Sequence, residues 1–407
     1  MKKSEVKLDI NEVLRTVNLL HLLDKKSHFL FGPRSTGKST AIRRQLSQHA
    51  TIINLLRVPV QSALLKNPGE LEGMIDAANE QNSSYVVIDE IQKVPALLDE
   101  VHRLIEERKF KFLLSGSSAR QLKASGINLL GGRAWIANMF PLTFHELTKI
   151  NLDRYLRYGG LPHVWSSSLP EDELEAYVAT YINEEIKMEG LVRKIPAFLD
   201  FLRLAALTNT QVLNFSTIAS DARVSATTIR EYYGILEDTL IGTLVQPWSK
   251  SLKRKAIATA KFYFFDTGVC HTLAETRHLD RNSDLFGRSF EHFIFMELSA
   301  FLSYRARKEK LKFWRSLDKH EVDFIIGDDL AIEVKATKSL HKDDFDGILA
   351  LREEGIIKTF YIVSNDPVDT VRDGVNCLHW ETFLKRLWGN RLMPAKMLNS
   401  DKKAPPK

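Results

Sequence analysis

Two groups of residues in this chain are of types, and at spacings, that do chemistry. The first runs from Gly32 to Thr40, Gly-Pro-Arg-Ser-Thr-Gly-Lys-Ser-Thr, and fits the pattern G-x-x-x-x-G-K-[ST]. Gly32 and Gly37 permit positive φ and close backbone approach, so that successive N–H groups converge on phosphate oxygens. Lys38 then reaches the β- and γ-phosphates and Ser39 ligates Mg²⁺, while the helix opening there turns its positive end toward the anion. Gly32, Pro33, Arg34, Ser35, Thr36, Gly37, Lys38, Ser39 and Thr40 are therefore the candidate set for holding a nucleoside triphosphate. Further along, Ser84-Tyr85-Val86-Val87-Ile88 is an apolar run ending in Asp89-Glu90. Asp89 suits the Mg²⁺ shell and Glu90 suits orienting and polarising the attacking water, a pair that implies hydrolysis and not mere storage. The run Lys111–Ser118 ends in small hydroxyls. Ser115 or Ser117 is placed to sense a γ-phosphate, with simple turn chemistry as the alternative. Arg133 and Arg120 are candidates for stabilising transition-state charge, in cis or across a subunit interface.

The second group lies in the last third. Glu321–Ile326 and Leu330–Ala336 read as strands joined by Gly327-Asp328-Asp329, a turn of hairpin length. Such a loop pairs Ile326 with Leu330, and stepping inward sets Asp323 opposite Glu333, with Cβ atoms roughly 5 Å apart. Two like charges there are destabilising unless compensated, and a divalent cation, Mg²⁺ or Mn²⁺, held by Asp323 and Glu333 would compensate them. Lys335 projects to the same face, where it suits activating water and stabilising phosphorane charge.

The elements that must position these residues follow from apolar patterning. Short apolar strands alternate with helices through the first third, as in a doubly wound parallel sheet. Glu171 to Asn209 is helical in pattern, with Ile186, Leu191 and Phe198 among its apolar positions. Asn214–Ser225 followed by Ala226–Leu236 reads as helix-turn-helix. Strand-like Leu244–Pro247 and Lys261–Phe265 bracket Lys250, Lys253, Arg254 and Lys255, the expected basic wing of a winged helix that would set Thr227, Thr228 and Arg230 in a DNA groove. A lid or protein-contact module is the alternative for the same fold.

At 407 residues the chain exceeds what one core supports, and its 44% apolar content suffices for two or three. A net charge of +6 permits nucleic-acid contact without requiring it. Cys270 and Cys377 stand alone, which excludes a disulfide scaffold and suits a reducing compartment. No apolar run approaches the roughly 20 residues of a membrane span, so a cytoplasmic protein without membrane contact is expected.

Gly32–Thr40, Tyr85–Pro95, Phe112–Arg120, Gly131–Ala134 and Phe140–Leu147 together resemble prokaryotic AAA+ P-loop ATPases with a C-terminal domain of unknown function. The resemblance implies ATP with Mg²⁺, an α/β doubly wound core over 1–148, and a helical lid with winged helix over 149–265. Homo-oligomers through the ATPase domain are common among such proteins. Asp-x9-Glu-x-Lys after a Glu-bearing helix resembles the PD-(D/E)xK restriction-endonuclease-like superfamily, although Val322 stands where that name has proline. It implies a nuclease-like domain over 266–395, with Glu291 as the helix carboxylate beside Asp323, Glu333 and Lys335; 396–407 is expected to be disordered. The expected function is an ATPase regulating a metal-dependent DNA endonuclease, in DNA processing or defence against foreign DNA. The alternative is a nucleotide-switched DNA-binding or scaffold protein with an inactive nuclease fold.

Overall fold

A computed structural model describes residues 13–79, 83–117, 129–182 and 195–393. Ser118, Arg120, Ile186, Leu191 and the 396–407 tail lie outside the described residues.

The first sheet contains β1 (Ser27–Phe31), β2 (Thr51–Asn54), β3 (Tyr85–Asp89), β4 (Lys111–Gly116) and β5 (Ala134–Asn138), all parallel, in the order β2-β3-β4-β1-β5. β1 is buried along its whole length, and β3 and β4 are buried after their first residues. That is why these strands read as unbroken apolar runs: helices cover both faces. On one face Phe29, Ile88 and Leu114 pack with Leu98 and Val101 of the helix Leu97–Glu107. On the other, Leu30, Val87 and Leu113 pack with Ala41 and Ile42 of the helix Lys38–Leu46. Each of the larger of these side chains contributes about 1.5–3 kcal/mol by burial. The result is one rigid edge, the C-terminal ends of β1, β3 and β4, where a doubly wound sheet takes its ligand. The Gly131–Ala134 stretch leads into β5, a strand absent from the sequence expectation.

The middle region is helical and holds its own aromatic core, in which Phe201 meets Tyr233 edge-on at 4.9 Å and Tyr233 meets Phe262 at 4.9 Å. The expected helix-turn-helix is present as Phe215–Asp221 and Ala226–Asp238, each capped by a side chain, Asn214 and Ser225.

The second sheet is mixed and has eight strands. In chain order they are β6 (Gly242–Pro247), β7 (Lys261–Phe264), β8 (Leu311–Arg315), β9 (Glu321–Ile326), β10 (Leu330–Lys335), β11 (Thr359–Ser364), β12 (Thr370–Arg372) and β13 (Val375–His379). Their order across the sheet is β12-β13-β11-β10-β9-β8-β6-β7. The long helix Asp284–Tyr304 packs Phe293, Ile294 and Phe301 on one face, and the helix Asp346–Arg352 packs Ile348 and Leu351 on the other. The hairpin register is the one expected, Leu330↔Ile326 through Ile332↔Phe324, so the next step sets Glu333 beside Asp323.

The wing needs correcting. β6 pairs in parallel with β8, so the β6–β7 hairpin is built into the C-terminal sheet and does not project. The basic segment between them is tied down as well. Lys250 pairs with Asp328 and Arg254 with Glu353, and the amides of Leu252, Lys253 and Arg254 donate to the Glu354 carboxylate at 2.6, 2.7 and 3.1 Å. Two of its four cations, Lys250 and Arg254, and three of its backbone donors are bound to the protein's own acids.

Candidate nucleotide site and carboxylate cleft

The loop after β1 is built around positions that tolerate no side chain. A Cβ on Gly32 would lie 2.4 Å from the Met139 carbonyl oxygen, and Gly37 has φ +92° at the start of the helix Lys38–Leu46. Lys38 is buried, and its Nζ donates to the carbonyls of Gly32 and Pro33 at 2.6 and 3.0 Å. Thr36 Oγ1 ties back to Pro33 O at 2.7 Å. The ammonium thus lies against its own loop, and two of its acceptors are carbonyls that an anionic phosphate outcompetes.

Asp89 and Glu90 reach the same edge at the end of β3. Ser115 at the end of β4 donates its hydroxyl to Asp89 and accepts from the Glu90 amide at 3.3 Å. Glu90 has φ 63°, a conformation that costs a non-glycine residue energy and is held here by its surroundings. Gln92, which sequence reasoning missed, donates Nε2 to the Glu90 carboxylate and to Ser117 Oγ at 3.1 Å. Its own Oε1 is buried without a partner. One side chain therefore joins the expected water-orienting acid to an expected sensor serine.

Arg133 is elsewhere. β5 runs parallel to β1 with Ala134 opposite Ser27, so Arg133 stands at the N-terminal end of the sheet, about 20 Å of strand away from Gly32, and pairs with Glu106. A role in cis is excluded by that distance.

Arg15 also escaped the sequence reading. Its buried guanidinium donates to Thr36 O in the loop, to Phe140 O at 2.6 Å and to Glu146 at 3.0 Å, and it reaches Tyr304 Oη at 3.3 Å on the long C-terminal helix. Beside it a cavity of about 180 Å³, lined by Val13, Leu14, Gly37, Ala41, Leu142 and Pro162 among others, opens against the loop. Arg15, Thr40, Arg44 and Gln45 complete its lining, so the slot is apolar with a polar margin.

The second group converges on a cleft of about 1130 Å³ whose wall includes Glu291, Glu321, Asp323, Glu333 and Lys335. Sequence reasoning named four of them. Behind these acids, buried and not itself part of the lining, is a residue sequence reasoning passed over: Lys261 of β7, 3% exposed in its side chain, with Nζ at 3.0 Å from Glu291, 2.6 Å from Glu321 and 3.4 Å from Asp323. Tyr263, two residues on and on the same strand face, donates to Glu291 at 2.5 Å. Asp323 accepts from the Val334 amide at 2.8 Å, and Lys335 pairs with Glu333 at 2.8 Å. Glu333 Oε2 is buried and has no partner.

Burial pushes Glu291, Asp323 and Glu333 up from the usual carboxylate range, Asp323 adding to the rise at Glu333. Burial alone would lower Lys261, but Glu291 and the other acids around it outweigh that and hold it charged. The like-charge problem expected at Asp323 and Glu333 is thus eased by an internal ammonium. Among the described residues no group of three His, Cys, Asp or Glu side chains is arranged to hold a metal ion. As arranged, the cluster does not fit the divalent cation expected from sequence, because Asp323 is already met by Lys261 and Glu333 by Lys335.

Comparisons with known proteins match three stretches of the chain. Residues 24–148 match a family model described as an AAA domain. This region is of P-loop ATPase type, in keeping with its parallel sheet and loop. Residues 149–280 and 286–383 match two models, each described as a domain of unknown function (DUF8612 and DUF4143). An uncharacterized protein of Mycobacterium tuberculosis is 26% identical over 324 residues, covering 76% of this chain and 70% of its own. One from Haemophilus influenzae is 24% identical over 268 residues, 60% of this chain and 63% of its own. One from Methanocaldococcus jannaschii is 21% identical over 358 residues, 79% and 78% of the two chains. Among the described residues no helix is long and apolar enough to cross a membrane.

Proposed function

We propose that this chain is a Mg²⁺-dependent ATPase whose nucleotide state regulates the carboxylate cleft of its C-terminal domain, and that the cleft acts on DNA phosphodiesters. The observation carrying the ATPase reading is the edge shared by Lys38, Asp89, Glu90 and Ser115. Lys38 turns from its loop carbonyls to the β- and γ-phosphates, Ser39 and Asp89 hold Mg²⁺, and the apolar slot takes the adenine. Mg²⁺ supplies charge neutralisation between the phosphates. Glu90, held by Gln92, orients the water. With Arg133 at the far end of the sheet, an arginine for the transition state comes from a second copy. Its surface pairing with Glu106 is worth little and leaves it available.

The DNA reading of the cleft is supported by the convergence of Glu291, Asp323, Glu333 and Lys335, and by Arg281, Arg288 and Lys338 on its wall. Lys261 favours the second reading, a nucleotide-switched binding or scaffold protein whose cleft does not cut. Mg²⁺- or Mn²⁺-dependent cleavage of plasmid and branched DNA by wild type and by Asp323→Ala separates the two. Cleavage lost in the variant is expected; equal activity in both, or none with any nucleotide, removes the nuclease reading and leaves the second.

A further inference from the structure

Lys261 and the nucleotide slot are mechanically close although their chemistry is far apart. Pro162 lines the slot beside Gly37, its ring 3.7 Å from where a Gly37 Cβ would be. The turn that carries Pro162 is gripped from behind by Asp266. This fully buried carboxylate accepts from the Gly160 amide at 2.8 Å and from Val269 N at 3.1 Å. There is no slack in that grip: a Cβ on Gly159 would lie 2.0 Å from Asp266 Oδ1, and one on Gly268 would lie 2.2 Å from Tyr158 O. On its other side the turn is pinned by Leu142 N donating to Gly160 O at 2.7 Å, and Leu142 is itself a wall of the slot. Asp266 follows β7 almost directly, and β7 begins at Lys261 and is buried at all four of its residues. A short rigid strand thus has the slot's wall at one end and the cleft's cation at the other.

We propose that Lys261 is a nucleotide-controlled plug. ATP in the slot displaces the Gly159–Pro162 turn, Asp266 passes the displacement to β7, and the Lys261 ammonium leaves Glu291, Glu321 and Asp323. This rests on the reading of residues 24–148 as an ATP-binding region and deepens it by naming what the nucleotide acts on. The cluster supplies the two-state element such coupling requires, because closely packed interiors rearrange between discrete states and do not deform smoothly. Plugged, the acids share an internal counter-ion. Unplugged, they face the cleft without it.

Lysine acylation of the full chain, read residue by residue by mass spectrometry, tests this directly. Lys253, Lys255 and Lys358 are exposed and serve as references. Without nucleotide, Lys261 should stay unlabelled while the references react. With Mg²⁺ and a non-hydrolysable ATP analogue, whose binding is followed separately by calorimetry, Lys261 labelling should rise several-fold, and Lys38→Ala should abolish both the binding and the rise. Asp266→Asn should bind the analogue yet lose the rise; if that variant does not fold, Pro162→Ala should reduce it. Bound analogue with Lys261 still protected overturns the coupling, as does a Lys261 that reacts like the references without nucleotide. No binding by wild type overturns the ATPase reading itself, and the plug with it.

Discussion

Two lysines, Lys38 and Lys261, occupy corresponding places in the two halves of the molecule, and the acceptors seen around them differ. Each is buried where a sheet meets the residues expected to do chemistry. Lys38 donates to the backbone carbonyls of its own loop, whereas Lys261 sits among Glu291, Glu321 and Asp323. A carbonyl is exchanged for a phosphate oxygen at little cost, because the cation gains a charged partner. A lysine leaving three carboxylates strands buried charge. The first site is therefore poised to take a ligand from solution, and the second is closed until something moves the lysine or replaces it.

The largest test of that contrast is Lys261→Met. Removing one partner from a buried ionic cluster costs about 3–5 kcal/mol. Thermal melts should accordingly show a large fall in Tm near neutral pH that shrinks on acidification, as Glu291, Asp323 and Glu333, already pushed up by burial, take up protons. A variant as stable as wild type near neutral pH would mean that the cleft is not closed by charge. Next in size, Lys38→Ala should lower kcat/KM for ATP by on the order of 100-fold or more, read by phosphate release, with little change in Tm. A similar loss of turnover is expected for Glu90→Gln, but with ATP still bound; unchanged turnover would count against Glu90 as the water-positioning acid.

The smallest effect asks whether costly acid burial extends along the long helix beyond the cleft. Burial pushes Glu297 up to about 8, although it accepts from Phe144 N and Trp388 Nε1, both at 2.7 Å. Because the folded value is raised, its contribution to stability is complete below the unfolded value of 4.5 and is lost as pH rises through about 8. Chemical denaturation of wild type across that window should show falling stability with rising pH, and Glu297→Gln should flatten the slope.

Legibility followed burial. β1, β3 and β4 are covered on both faces, so their apolar runs announced them, and the loops at their ends came with them. The β9–β10 register was readable because a three-residue turn admits one pairing in which the apolar face stays inward. β5 was missed because its Trp135 and Ile136 are half-exposed at the sheet's edge, which leaves Ala-Trp-Ile-Ala-Asn without an alternating or continuous pattern. Lys261 was missed because lysine beside an aromatic run reads as a strand's soluble end. The available signal was its alternation with Tyr263, which puts two polar tips on one face of an otherwise apolar strand. Arg15 acts through residues distant in sequence and backbone carbonyls, and Gln92 joins its near neighbour Glu90 to the distant Ser117, arrangements for which spacing carries no signature.

The β6–β7 hairpin has a practical consequence for anyone dissecting this chain. A fragment beginning after residue 265 would contain every one of the recognised cleft acids and Lys335, yet it would lack the strand that pairs with β8. The stripped edge of β8, with buried Phe313 and Trp314 on it, would be left to pair with another copy of itself. Such a fragment should precipitate or form strand-exchanged dimers, and its silence in an assay would report the cut and not the chemistry.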